Sequence, residues 1–301
     1  MLKRREFLLS ASCVPHLRAQ DAEPVFTSGV KVVSVIASVR DGQGRLVHDL
    51  AREEFAVAEN NVSQELKYFS RDTDLPLTLG ILVDTSMSQE KVISDERAAS
   101  LRFIDRVLRE DKDQFFIGRF DMNVTFPQNL TASRDKLEKA LIYVDTPTRN
   151  ELRHQSGGGT LLFDCVASAS KDILAKRQGR KALIILSDGG ENGSDTTLED
   201  SINSAQLADT MIYSILFGGT EGRSILQKMS KETGGGYFEV TKKKSIMDIF
   251  DTIQEELRGQ YSLGYVSSVP VRISEFRNLK VAAKRKGLTV QCRTRYWAER
   301  T

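Results

Sequence analysis

Two short apolar runs, each closed by an aspartate, limit what this chain can fold into more than any other feature. Leu77–Val83 reads LTLGILV and ends at Asp84; Ala182–Leu186 reads ALIIL and ends at Ser187-Asp188. An unbroken apolar run of this length suits a strand covered on both faces, the usual condition of a parallel sheet. Around these runs the period turns helical. Ser94–Glu110 carries Ala98, Leu101, Ile104, Val107 and Leu108 at helix spacing, and Arg134–Tyr143, Thr160–Ala175, Leu198–Asp209, Arg223–Thr233 and Ser245–Gly259 behave alike. Gln114–Phe120, Val124–Leu130, Met211–Phe217 and Tyr237–Val240 supply further strands. Strands alternating with helices predict an α/β fold: a doubly wound, mostly parallel sheet with helices on both faces.

The flanks differ. Val30–Val39, Glu53–Val57 and Gln64–Phe69 are β-rich, with turn residues at Asp41–Gly44 and Asn60-Asn61. In the tail, Tyr261–Val266, Leu279–Lys284 and Leu288–Arg295 alternate, with Lys286-Gly287 as a hairpin signal between the last two. Neither flank is large enough for a core of its own. The economical expectation is a small β module built from residues 25–72 and 261–301 together, with the α/β domain, 76–258, inserted between them. Residues 1–19 look like an export segment. Lys3, Arg4 and Arg5 form a basic start, Phe7-Leu8-Leu9 an apolar stretch, and Arg4-Arg5-Glu6-Phe7-Leu8 resembles a twin-arginine signal, which points to a periplasmic or extracellular location.

Charge and composition remove several functions. The 43 Lys and Arg against 41 Asp and Glu give +2, and loss of the export segment removes four positive charges and one negative, leaving −1. No nucleic-acid partner is expected from that balance. No run approaches the ~18 apolar residues of a membrane-crossing helix. Three cysteines and three histidines argue against a disulfide scaffold, a Cys-rich zinc site or a His-rich metal centre. Any chemistry must rest on oxygen.

The oxygens gather by pattern. Ligands of open α/β sheets bind outside the carboxyl ends of the strands. There stand Asp84-Thr85-Ser86-Met87-Ser88 after one strand and Ser187-Asp188-Gly189-Gly190 after another, while Gly157-Gly158-Gly159-Thr160 leads into a helix. Asp84, Ser86, Ser88, Thr160 and Asp188 form an all-oxygen candidate set, which selects a hard divalent cation, Mg²⁺ first and Mn²⁺ or Ca²⁺ next. Two carboxylates only balance such an ion, so it stays electrophilic and favours a carboxylate brought by another molecule. Each piece alone also has a plainer reading: a helix N-cap, a turn aspartate, a loop threonine.

Asp84-x-Ser86-x-Ser88, then Thr160, then Asp188, resembles the metal-ion-dependent adhesion site (MIDAS) of von Willebrand factor type A (VWA) domains. Beyond that motif, VRDGQG at 39–44, EEFAVAE at 53–59, SDGGENGS at 187–194, SKETGGGYFEV at 230–240 and EELRGQYSLGY at 255–265 are similar to a bacterial VWFA-related subfamily. The resemblance implies a Rossmann-like VWA fold, a divalent ion held by the five residues named, and capture of an acidic group on a partner protein without catalysis. The family usually has glycine between the two serines; here Met87 stands there, and Gln89 replaces a frequent methionine. The alternatives are a structural or assembly module whose metal site goes unused, and a metal-dependent hydrolase. The hydrolase lacks a base, since His48 and His154 have no motif around them. Glu191, Asn192, Ser194 and Asp195 either support the metal loop or cap the helix that follows.

Overall fold

The computed structural model describes residues 32–71, 75–148 and 159–300. The export segment, His154, Gly157 and Gly158 lie outside the described residues. In chain order the elements are β1 (Val32–Arg40), β2 (Phe55–Glu59), β3 (Val62–Gln64), β4 (Leu66–Ser70), β5 (Leu77–Asp84), α1 (Ile93–Val107), β6 (Gln114–Phe120), β7 (Val124–Thr131) and α2 (Arg134–Ile142). There follow α3 (Leu162–Ser168), β8 (Arg180–Ser187), α4 (Leu198–Leu207), β9 (Thr210–Leu216), α5 (Arg223–Thr233), β10 (Tyr237–Glu239), α6 (Ile246–Arg258), β11 (Tyr261–Val266), β12 (Glu275–Ala283), β13 (Thr289–Cys292) and β14 (Arg295–Ala298).

Every residue of β5, β8 and β9 is buried, as the apolar runs within them lead one to expect. They lie at the centre of a six-stranded sheet ordered β10-β9-β8-β5-β6-β7, parallel except for the antiparallel edge strand β7. Helices cover both faces. One face packs Leu79, Ile81 and Val83 against Phe103 of α1 and Phe250 of α6, whose rings stack at 4.6 Å. The other packs Leu82 and Phe116 against Leu162, Val166, Ile202 and Leu226. Gly80 leaves the space that the Phe116 ring fills; a Cβ there would lie 2.2 Å from it. The fold is that of the predicted α/β class.

Two local expectations need correction. The stripe expected on α1 is rotated: Ala98 is exposed and Leu101 half-buried, while Ile93, Glu96, Ala99, Ser100, Phe103, Ile104 and Val107 face inward. The helix expected over 160–175 ends at Ser168 and continues as a π turn, Ala169–Ile173, and a 3-10 turn. That wider turn keeps Ala169 and Leu174, five residues apart, both buried against the sheet.

The remaining strands form two antiparallel sheets, β13-β1-β11-β4 and β14-β12-β2-β3, facing one another across a shared apolar core that includes Val35, Leu50, Phe55, Leu263 and Tyr296. Asn60 and Asn61 take the positive φ of 47° and 65° that the β2–β3 turn needs. The Lys286-Gly287 turn is present, but it does not join a hairpin. β12 pairs with β14 over Glu275–Asn278 and with β2 over Leu279–Ala283, while β13, which lies between β12 and β14 in the chain, pairs with β1 of the other sheet.

A buried ion pair ties this sandwich together. Glu59 has no exposed surface and Arg277 is 1% exposed. Glu59 Oε1 accepts from Arg277 Nη1 at 2.6 Å and Ser267 Oγ at 2.7 Å, and Oε2 from the hydroxyls of Tyr265 and Tyr296 at 2.8 Å each. Arg277 also donates to the carbonyls of Val269 and Pro270. Burial pushes the Glu59 carboxyl up, but its four donors outweigh burial and hold it below the ordinary carboxylate range. Removing the arginine strands that charge. Arg277→Met is therefore expected to lower unfolding free energy by about 3–5 kcal/mol, while Arg45→Ala, which loses the exposed Arg45–Asp41 pair, changes it by less than about 1 kcal/mol. Urea denaturation of the two variants checks the contrast.

Candidate metal-binding site

Register builds the site. β5 and β8 pair in parallel with Val83 beside Leu186, so Asp84 and Ser187 leave the sheet side by side. Ser187 Oγ donates to Asp84 Oδ2 at 2.6 Å, and the Ser86 amide donates to Asp84 Oδ1 at 2.9 Å. After Asp84 the chain winds into a single 3-10 turn, Met87–Gln89. That turn brings Ser86 Oγ and Ser88 Oγ to 2.9 Å of each other. The loop is pinned from its far side as well, where Thr85 donates its amide to Phe120 O and its hydroxyl to Asp121 Oδ2, at 2.9 and 2.8 Å.

Thr160 and Asp188 come from the neighbouring loops. Thr160 and Asn192 exchange both backbone hydrogen bonds, at 3.0 and 3.1 Å, and Leu161 N donates to Asp121 O. The start of α3 is thereby tied both to the loop after β8 and to the loop after β6. Glu191 accepts from Phe163 N and from the amide and hydroxyl of Ser194, so it supports this junction; Thr197 caps α4. Of the two roles open to Glu191 and Ser194, the loop-supporting one is correct. Asp188 turns back to accept from Gly190 N, and Gly189 takes a φ of 77°. Gly222, at the head of α5, packs directly on Gly189: a Cβ on Gly222 would sit 2.1 Å from the Gly189 backbone.

Exposure rises through the motif. Asp84 is fully buried, Ser86, Thr160 and Asp188 are half-buried, and Ser88 and Met87 are exposed, Met87 at 41%. The set thus has a buried acidic floor and a hydroxyl rim open to solvent. Among the described residues no group of three or more His, Cys, Asp or Glu side chains gathers closely enough to hold an ion, so a cation here would have to lean on hydroxyls. Among those residues the sole histidine is His48, whose Nδ1 lies 3.1 Å from Gly259 O in another part of the molecule.

The electrostatics fit a missing positive charge. Burial, offset in part by hydrogen bonds from Ser187 and Ser86 and reinforced by the charge of Asp188, raises Asp84 to about 6. Burial, then the charges of Asp84, Asp188 and Asp95, raises Glu96 to about 8. No salt bridge among the described residues reaches Asp84, Asp188 or Glu96. The donor set and this uncompensated negative field suit a divalent cation. Sequence reasoning did not single out Glu96, Ser187 or Asp121. The signal for Glu96 was a charged residue three positions from Ile93 and seven from Phe103, on the inward face of α1.

Comparison with known proteins identifies the domain. The sequence profile of the von Willebrand factor type A domain matches residues 77–238. Similar solved structures include the von Willebrand factor type A protein of Catenulispora acidiphila, at 14% identity, covering 92% of this chain and 76% of that one, with a TM-score of 0.51. Proximal thread matrix protein 1 of the mussel byssus, in a form with a zinc-occupied MIDAS motif, matches at 17% identity over 66% of this chain and 49% of its own, TM-score 0.53. BatB of Bacteroides thetaiotaomicron matches at 14% identity over 60% of this chain and 97% of its own, TM-score 0.47. The chain spans about half the length of the mussel protein. No curated protein sequence matches it.

Two predictions follow from the site's construction. The unfolded chain releases the Glu96 proton near the ordinary value of 4.5, the folded chain only near 8. Between those values the folded state binds more protons, so stability is greatest at the acid end of the window and falls as pH rises through it. In excess EDTA the melting temperature is expected to drop from about pH 5 to about pH 8, and Glu96→Gln to flatten most of that slope. Thermal melts of both proteins across the window measure it. Separately, Gly222→Ala forces the Gly189 backbone away and should cost about 1–3 kcal/mol by overpacking, read from denaturant midpoints.

Proposed function

The chain belongs to the von Willebrand factor type A domain family, and from that premise we propose that it is an exported, metal-ion-dependent protein-binding module. The observation that carries this reading is the turn at 84–88: a buried carboxylate beneath two facing hydroxyls that open to solvent. Asp84, Ser86, Ser88, Thr160 and Asp188 would hold the ion, with Mg²⁺ the first candidate and Mn²⁺ or Ca²⁺ next. Bound there, a divalent cation supplies a Lewis-acidic position for the carboxylate of an acidic side chain on a partner protein. The zinc held in the MIDAS motif of the mussel protein supports a divalent ion as the class.

The chain's own residues do the rest. Ser187 and the Ser86 amide orient Asp84. Only two carboxylates, those of Asp84 and Asp188, would ligate the ion directly, which leaves a coordination position open to a carboxylate from outside. Binding rather than hydrolysis is favoured because the one described histidine, His48, lies against Gly259 and not at this turn. We assign residues 76–258 to the VWA domain and read the β sandwich, from 25–72 and 261–301, as its support; residues 1–19 are read as the export segment. Among the described residues no helix is long and apolar enough to cross a membrane.

Calorimetric titration of Mg²⁺ and Mn²⁺ into the wild type and Asp84→Ala tests the reading. Loss of binding in the variant is expected, and equal affinity overturns it. Partner capture that EDTA leaves untouched would favour instead a structural module with an unused site.

A further inference from the structure

The segment that runs from the 84–88 turn into α1 carries two buried polar side chains that are not satisfied. Glu96, in the first turn of α1, has no exposed surface, and neither of its carboxylate oxygens has a hydrogen-bond partner. Gln89, 2% exposed, donates Nε2 to Ser88 Oγ at 3.3 Å and leaves Oε1 unpartnered. The other deeply buried glutamates among the described residues are treated differently. Glu59 collects four donors, and Glu256 on α6 pairs Oε1 with Arg40 and leaves only Oε2 unpartnered.

A buried carboxylate without partners is among the costliest groups a fold can keep. Protonation does not settle the matter, because a neutral carboxyl still needs an acceptor for its hydrogen, and neither oxygen touches one. The strongest charges acting on Glu96 are those of Asp84 and then Asp188, ahead of its own sequence neighbour Asp95. Its helix turn follows on the 84–89 loop at the carboxyl end of β5, the end of the sheet from which Asp84 and Asp188 also emerge. Asp84 and Glu96 are buried and Asp188 is half-buried at that end of the sheet, and a cation with its hydration shell supplies both what the charges and what the orphaned oxygens lack.

We propose that Glu96, together with Gln89, forms the inner wall of the cation site as a positioning residue, accepting hydrogen bonds from the ion's hydration shell and adding a negative charge behind those of the directly ligating Asp84 and Asp188. The inference rests on the metal-binding reading above. Glu96 would secure the ion from the protein side and leave the side at Ser88 and Met87 open to a partner. Outer-sphere groups of this kind tighten metal binding without touching the metal.

Glu96→Gln keeps the volume and removes the charge. Calorimetry with Mg²⁺ alone and with Mn²⁺ alone should show affinity about 10–100-fold weaker than wild type, while the melting temperature in excess EDTA rises, because the variant no longer has to protonate a buried carboxylate or bury its charge on folding. A residue that served packing alone would not move these two readouts in opposite directions. Unchanged affinity in Glu96→Gln, with binding lost in Asp84→Ala, overturns the role of Glu96 and leaves the metal site standing. A fall in melting temperature in EDTA also overturns it. Wild-type affinity in Asp84→Ala removes the metal-binding reading and this inference with it.

Discussion

The parallel pairing of β5 with β8 is the constraint on which the site depends. Side chains alternate across a strand, so the register decides which residues meet at its end. With Val83 beside Leu186, Asp84 and Ser187 emerge together and a 2.6 Å hydrogen bond closes between them. On the other side β5 pairs with β6 so that Asp84 aligns with Phe120, which places Thr85 against Phe120 and Asp121. Both pairings are enforced by burial: every residue of β5 and β8 is enclosed, and a one-residue slip would exchange the two apolar cores. The 84–88 turn is thus held by the sheet's hydrophobic registration before any ion is considered.

How much of this was legible in the sequence differs by element, for physical reasons. Gln114–Phe120, Arg223–Thr233 and Tyr261–Val266 have the bounds expected, because their composition and period agree with their environment. Motif spacing proposed the five oxygen residues, and the backbone bridge between Thr160 and Asn192 ties two of the three loops that carry them. Three things were not readable. The destination of β13 depends on its pairing with β1, a strand remote in the chain, which is a property of the whole sandwich. The π turn at 169–173 answers to the spacing of sheet contacts, not to local propensity. Glu96 hides because a charge on a helix is ordinarily assigned to solvent; only packing shows that the stripe is rotated and the charge turned inward.

Three buried glutamates among the described residues show what burial of a charge asks of a fold. Glu59 is fully hydrogen-bonded, and it joins β2 to β11, β12 and β14. Glu256 meets Arg40 and so links α6 of the α/β domain to β1 of the sandwich. The C-terminal strands add to that link. Arg295 donates to Asn203 and Gln206 on α4, and Thr294 N to Glu232 O on α5. The sandwich and the α/β domain are therefore riveted by polar contacts, whereas each holds itself together by an apolar core.

The position of β1 carries a consequence for biosynthesis. Its two neighbours, β11 and β13, are both translated only after the entire α/β domain. Until they emerge, β1 presents two bare edges, the surface on which strands of other molecules add. A chain cut short before Thr289 would leave one of those edges permanently bare. The last strands thus act as a molecular seal: their arrival converts an adhesive intermediate into a finished molecule, and couples the solubility of the first strand to completion of the last.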